Sequence, residues 1–291
     1  MPGGKPPKHF AFVQFEFAYP LGPADGRYVT RAEAGGEADR IVVLRTIGAP
    51  RRAPVGGRRR ARKVEDGEGP APVPVARATV IRADGLGSVE EAEEWLGELR
   101  RKRGRLEAEA ASAARELNAL LRAHRAAAAD RAARDVAPAG ATVVRAGYGS
   151  GEQVADGRFA AACELQPASP RSGARRRTDA LAPDERLAAI LSRREEVLAC
   201  EELVLRARGD VEAGRPREAA LQARIALEAL LAEVDGLEPE RRAELEADRE
   251  PVGRAANSAL RGDLDPAVQE SVSDAVGRME TALRLRRLRQ V

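Results

Sequence analysis

His9-Phe-Ala-Phe-Val-Gln-Phe-Glu-Phe-Ala-Tyr19 is the stretch that decides the fold class. Side chains of an extended chain alternate between two faces, so Val13, Phe15, Phe17 and Tyr19 share one. Phe10 and Phe12 lie opposite with Gln14 and Glu16, which predicts a strand covered on both sides at its N-terminal end. Pro20 and Gly22 end it. Four of the five Phe fall before residue 18, and the chain of 291 residues has only three Tyr and one Trp besides. The rest of the core must be built from Ala, Leu, Val and Ile, which suits close-packed helices.

Downstream, Arg27–Thr30 follows an Asp25-Gly26 turn and predicts a short strand. Ile41–Ile47 and Val75–Ile81 are β-branched runs bounded by turn residues, hence two more. Pro50–Pro74 between them carries Gly, Pro and charge with almost no core material, and predicts a long flexible loop.

A helix start follows. Ser88-Val-Glu-Glu91 fits a capping box, in which the Ser hydroxyl accepts from the third amide and Glu91 reaches back. A seven-residue repeat then sets Val89, Leu96, Arg103, Ala110, Leu117 and His124 on one seam. Ala92, Leu99, Leu106, Ala113, Leu120 and Ala127 form the other. This predicts one coiled-coil-like helix over about 88–133, roughly 67 Å long, weakened in the middle by Gly97, Arg103 and Gly104. Leu99, Leu106, Leu117 and Leu120 need a cover, which predicts either a later antiparallel helix of the same chain or an oligomer interface.

Beyond Pro138-Ala-Gly140, Thr142–Ala146 and Arg158–Leu165 predict two strands joined by a glycine-rich turn over 147–152. The last third is helical. Pro183 suits a first helical position. Leu187, Ile190, Leu191, Val197, Leu198, Val204 and Leu205 form a stripe for a packed helix. Ala219–Val234 is apolar on most faces and belongs at a bundle centre. Pro239 and Pro251 mark breaks, and the helix after Pro266 carries Val268, Val272, Val276, Met279 and Leu283.

The fold class is therefore α+β: an N-terminal antiparallel β-rich part with a long inserted helix, then a C-terminal α-helical bundle. The expected parts are a β-rich 1–87 with the basic loop 50–74, the long helix 88–135, and a hairpin 141–166 that completes the sheet. A linker 167–182 and the bundle 183–291 follow.

The charge balance is segregated. The chain has 49 basic and 46 acidic residues, for a net +3. Arg51–Lys63 holds seven cations and no acid; Arg171–Arg177 and Arg284–Arg289 hold four each, which leaves −12 on everything else. Basic segments on an acidic body suit phosphate binding, and Arg58, Arg59, Arg60, Arg62 and Lys63 are the most compact set. No aromatic side chain interleaves them to stack on bases. Lys occurs only at 5, 8, 63 and 102, so 45 of the cations are Arg. That bias points to genome composition and weakens any single Arg as a functional sign.

Little else points to chemistry. Cys163 and Cys200 are too few and too far apart for a disulfide framework or a thiolate zinc site. His9 and His124 have no ligand at metal spacing on their own elements, and no metal or cofactor is expected. Gly147-Tyr-Gly-Ser-Gly-Glu152 misses the last Gly of the dinucleotide pattern and the Lys-Ser/Thr of a phosphate loop. No apolar run approaches a membrane span, and MPGGKPPKHF has no apolar core of a signal peptide, so a reducing cytoplasm is expected. The tract Gly209–Leu231 resembles helical domains of the HEPN type over one helical pair. Ribonuclease members of that family carry an Arg with a His a few residues on. No His follows His124, so the resemblance implies a non-catalytic member.

These features favour a non-enzymatic cytoplasmic interaction or assembly protein, with a protein partner or self-association. The alternatives are a sequence-independent nucleic-acid binder working through the basic loops, and an enzyme whose site is assembled only on folding. The nucleic-acid alternative has a direct test. Neutralising Arg58, Arg59, Arg60, Arg62 and Lys63 together should flatten the slope of log affinity against log salt on duplex DNA by about four to five units. A wild-type protein that shifts no DNA at low salt removes this reading.

Overall fold

A computed structural model describes residues 9–31, 33, 35–48, 73–165, 185–262 and 264–290, with the side chains of 288–290 left out. Arg58, Arg59, Arg60, Arg62 and Lys63 lie outside the described residues, as do Arg171–Arg177. The chain divides near residue 170 into two compact units, each α+β or helical in its own right.

The first unit is a six-stranded antiparallel sheet with two helices. Its strands are β1 (His9–Phe17), β2 (Gly26–Thr30), β3 (Arg40–Ile47), β4 (Val75–Arg82), β5 (Val143–Ser150) and β6 (Ala161–Glu164), in the order β2-β3-β4-β1-β5-β6. Between β4 and β5 run α1 (Val89–Arg101) and α2 (Arg103–Ala128). Val13, Phe15 and Phe17 of β1 pack with Val42, Leu44, Ala78 and Val80 against Leu99, Leu106, Leu117 and Leu121 of the helices. Phe12 points to the other face and is covered by Val154 and Ala155 together with Val43 and Ile81. Further along that face polar groups pair across strands. Gln14 Nε2 donates to Thr79 Oγ1 at 2.9 Å, and Arg77 bonds Glu16 at 2.8 Å, each between directly opposed residues.

The helical insertion differs from a single coiled-coil rod. Lys102, at φ −121° and ψ 88°, breaks it into two helices of 13 and 26 residues. The heptad would seat Arg103 on the apolar seam at that point, but Arg103 and Gly104 are exposed and nothing apolar holds them to the sheet. Beyond the break α2 follows the 3.6-residue period of a helix laid on a sheet. Leu106, Ala110, Ala113, Ala114, Leu117 and Leu121 are buried, whereas Leu120 of the expected seam is only half-buried. The start of α1 is capped much as expected. The Glu91 amide donates to Ser88 Oγ at 3.2 Å, and the Glu91 carboxylate accepts from the Gly87 amide, one residue before the cap. After α2, Asn118 grips the returning chain: its amide donates to Val136 O at 2.9 Å and its carbonyl accepts from Val136 N at 2.7 Å.

The glycines at 147 and 149 sit inside β5 and not in a turn. They serve close approach. A Cβ on Gly147 would lie 2.4 Å from Ala161 O, and one on Gly149 would lie 2.9 Å from Val154 Cγ2. The neighbouring chain therefore packs where a side chain would stand, and β6 begins only at Ala161.

The second unit is a helical bundle of α3 (185–191), α4 (Ala199–Glu212), α5 (Pro216–Glu233), α6 (Pro239–Ala247), α7 (Arg249–Ala259) and α8 (Pro266–Gln290). α5 lies at its centre, touching α4, α6, α7 and α8. Ala219, Ala220, Ala223 and Ala226 are fully buried there, and such small side chains let the neighbouring helices come close. α8 contributes Val272, Val276, Met279 and Leu283 to the same core. The stripe expected over 187–205 does not form one helix: the chain leaves helix at Ser192 and re-enters at Ala199, with Arg193 at φ 56°.

The two kinds of glycine give a paired test. Gly147→Ala should destabilise the sheet unit by about 2 kcal/mol through overpacking against β6. Gly104→Ala, with nothing within 4 Å of the added Cβ, should stabilise by about 0.5–1 kcal/mol. Urea titrations read both, and hydrogen exchange should show the Gly147 effect first in the β6 amides.

Candidate functional site

Leu99, Leu106 and Leu117 are fully buried against the sheet, and Leu120 packs at the edge of the same core. Their cover is supplied within the chain by the sheet face that carries Val13, Phe15, Phe17, Ala78, Val80, Val144 and Ala146. Leu99, Leu106 and Leu117 are thus covered inside the fold, whereas Leu120 is only half-buried.

Large apolar side chains are left uncovered elsewhere. In the bundle, Leu187 is 53%, Leu191 76%, Val197 48% and Leu205 60% exposed. Leu187 and Leu191 are one turn apart on α3, Val197 ends the connection, and Leu205 lies on the outer side of α4. The sequence stripe named all four but could not say that they face outward. That distinction depends on the break at 192–198.

A charge cluster fixes this edge. Glu201, with its side chain only 3% exposed, accepts from Arg186 Nη2 at 2.8 Å and from Arg287 Nη2 at 3.2 Å. Arg186 Nε also donates to Glu195 at 2.7 Å. The Leu198 amide donates to Glu201 Oε2 at 3.3 Å, so one carboxylate caps α4, holds α3 through Arg186 and ties in the end of α8. Burial pushes the Glu201 carboxyl up. The hydrogen bonds and charge of Arg186, then the charge of Arg287 and the Leu198 amide, outweigh burial and hold it below the ordinary carboxylate range. Arg186 and Glu201 stand 15 residues apart in the sequence, and no spacing rule links them.

Burial pushes the Cys200 thiol up to about 12, and its hydrogen bond with the Glu233 carboxylate adds to the shift. Cys200 is therefore a thiol at neutral pH and packs as a small core residue. Burial also raises Cys163, against the opposing charge of Arg100. Both cysteines are free. His9 Nδ1 stands 3.5 Å from Ser150 Oγ, the outer limit of a hydrogen bond, with the Tyr148 ring edge-on at 6.1 Å. His124 lies 3.6 Å from the Asp130 carboxylate. Among the described residues no three His, Cys, Asp or Glu side chains are placed to hold a metal ion, and no helix is long and apolar enough to cross a membrane.

Glu201→Gln should cost on the order of 2 kcal/mol at pH 7, the usual worth of hydrogen bonds to a charged group. The folded carboxyl titrates below its unfolded value, so its contribution is complete above the ordinary carboxylate range and is lost as the pH falls through the depressed value. Thermal melts of wild type and variant should converge as the pH drops below about 4. A gap that stays constant to low pH would show that the carboxylate charge is not what holds the edge.

No known family model matches the sequence, and no curated protein or solved structure is similar enough to the chain to count as a match.

Proposed function

We propose that the chain is a non-enzymatic interaction or assembly protein that pairs with a second copy of itself through the α3–α4 edge. The observation that carries this reading is the exposure of Leu187, Leu191, Val197 and Leu205 within a span of 19 residues, in a unit whose other large apolar side chains are mostly buried. Isolated exposed leucines are ordinary, whereas a run of four on two adjacent elements marks a surface that is covered in use.

A second copy is the occupant that the charge pattern suits. Glu202 and Arg206 flank Leu205 on the exposed side of α4 and pair with each other at 3.7 Å. Opposite charges one turn apart are self-complementary across a two-fold axis, since each copy's Arg206 can meet the other's Glu202. Rigid anchoring of α3 by Arg186 fits the same use, because an interface on a fixed element loses less entropy on association. Two free cysteines, one buried and one half-buried, are compatible with the reducing cytoplasm this reading places it in.

Sedimentation velocity on the full chain should give a dimer at tens of micromolar. Leu191→Glu with Leu205→Glu should give a monomer of unchanged helix content, since neither side chain is buried in the fold. Arg206→Glu alone should weaken the dimer, and adding Glu202→Arg should restore it. A monomeric wild type, or a dimer indifferent to the two leucine changes, overturns the proposal.

A further inference from the structure

The sheet unit contains a cleft of about 410 Å³ between its helix-covered face and the junction of α1 and α2. It lies where small residues face each other. Ala11 and Val80 form its floor, and Ala108 and Ser112 of α2 stand above them where leucines would close the gap. The core two turns further along α2, at Leu117 and Leu121, is closed in that way.

The cleft's polar groups do not suit an empty space. Arg40 and Arg82 are directly opposed across β3 and β4 and both line the cleft, as does Arg105 of α2. Like charges directly opposed on one face of a strand pair are destabilising. Trp95 lines it as well, and its indole N–H is buried with no acceptor among the described residues. A buried donor without a partner costs free energy unless something else accepts from it. The acids nearby engage only part of each guanidinium. Arg40 Nη1 bonds Asp39 at 2.9 Å, Arg82 bonds Asp84 at 2.8 Å, and Arg105 pairs with Glu98. Nε and Nη2 of Arg40 and Nη1 of Arg82 have no partner among the described residues. The single carboxylate in the lining is Glu109.

We propose that this cleft binds a small organic anion with a flat or apolar body. Its carboxylate, sulfonate or phosphate group sits between Arg40 and Arg82, its body rests on the Ala11–Val80 floor beside Trp95, and an acceptor atom takes the indole N–H. The volume suits a ligand of ordinary metabolite size. Opposed guanidinium groups stop repelling when an anion lies between them, which accounts for their placement. Glu109 limits affinity, since its charge competes with the ligand for Arg82.

Trp95 is the only tryptophan of the chain, so it reports on its own site. The probe is 8-anilinonaphthalene-1-sulfonate, with the neutral N-phenyl-1-naphthylamine as its uncharged counterpart. The protein is the full chain carrying Leu191→Glu and Leu205→Glu, which removes the two most exposed leucines of the α3–α4 edge. Saturable quenching of Trp95 with energy transfer to the sulfonate probe is expected, with the neutral compound at least about tenfold weaker. Arg40→Gln with Arg82→Gln should weaken the sulfonate about tenfold or more, the worth of one or two charged hydrogen bonds, and leave the neutral probe unchanged. Glu109→Gln should tighten it several-fold. Ser112→Leu should abolish both signals. Equal binding of the two probes, sulfonate binding indifferent to the arginine and Glu109 changes, or no change in Trp95 emission would each overturn the proposal. Circular dichroism of every variant checks that it is folded, and Glu109→Gln, at a half-exposed helix position, carries the test if the arginine pair proves unstable.

Discussion

The sheet unit depends on β1 being closed on both edges and both faces. It pairs with β4 over Phe12–Phe17 and with β5 over His9–Glu16, and four of the chain's five Phe lie on it. In a protein so short of aromatics this one strand supplies the three fully buried phenylalanines, Phe12, Phe15 and Phe17. A Phe side chain contributes about 1.5–3 kcal/mol on burial, and an Ala far less, so the alanine-rich helices cannot hold the unit together among themselves. They are held because the sheet gives them a surface. α2 contributes Leu106, Leu117 and Leu121 at helical spacing, and Ala110, Ala113 and Ala114 let it lie close.

The bundle solves the same shortage differently. α5 has no aromatic residue, and it is buried by neighbours on several sides. Its alanines carry almost no side-chain entropy to lose, so close packing of backbone against backbone substitutes for bulk. Partly buried ion pairs then fix which helix meets which. Arg278 reaches the buried Asp248 at 2.6 Å, and Arg208 reaches Glu280 at 2.7 Å. Such pairs add little net stability over an apolar contact, but they penalise any packing that would leave one charge alone.

Periodicity made much of this legible. The alternation over residues 9–17, the β-branched runs at 41–47 and 75–81, the cap at Ser88 and the apolar α5 are all local signals, and each element stands where its own residues put it. What failed to show in sequence was set by neighbours distant along the chain. The heptad continues through Lys102 on paper, yet the helix breaks there because the sheet offers Arg103 and Gly104 nothing to cover. Gly147 and Gly149 look like a turn until Ala161 and Val154 arrive beside them. The cleft was invisible for the same reason: Arg40 and Arg82 are opposed only through the register of β3 on β4, and Trp95 comes from a third element. The basic cluster at 58–63, the most conspicuous feature of the sequence, lies outside the described residues.

The position of β1 also imposes an order of events. The first strand of the chain sits in the middle of the sheet, and its outer edge pairs with a strand that ends 141 residues later, at Ser150 opposite His9. β2, β3 and β4 form a sequential meander that can assemble from nearer segments. β1 has to wait, with its phenylalanines in solution, first for β4 and then for everything through β5. Contacts of such long sequence separation slow folding, since the loop must be closed before the pairing is gained. The strand on which the unit most depends is thus the last to be sealed, and until then it is an aromatic, alternating segment with two open edges. The period of greatest exposure to misassociation falls between the arrival of residue 17 and that of residue 150, and a folding helper that shields a short aromatic segment would act there.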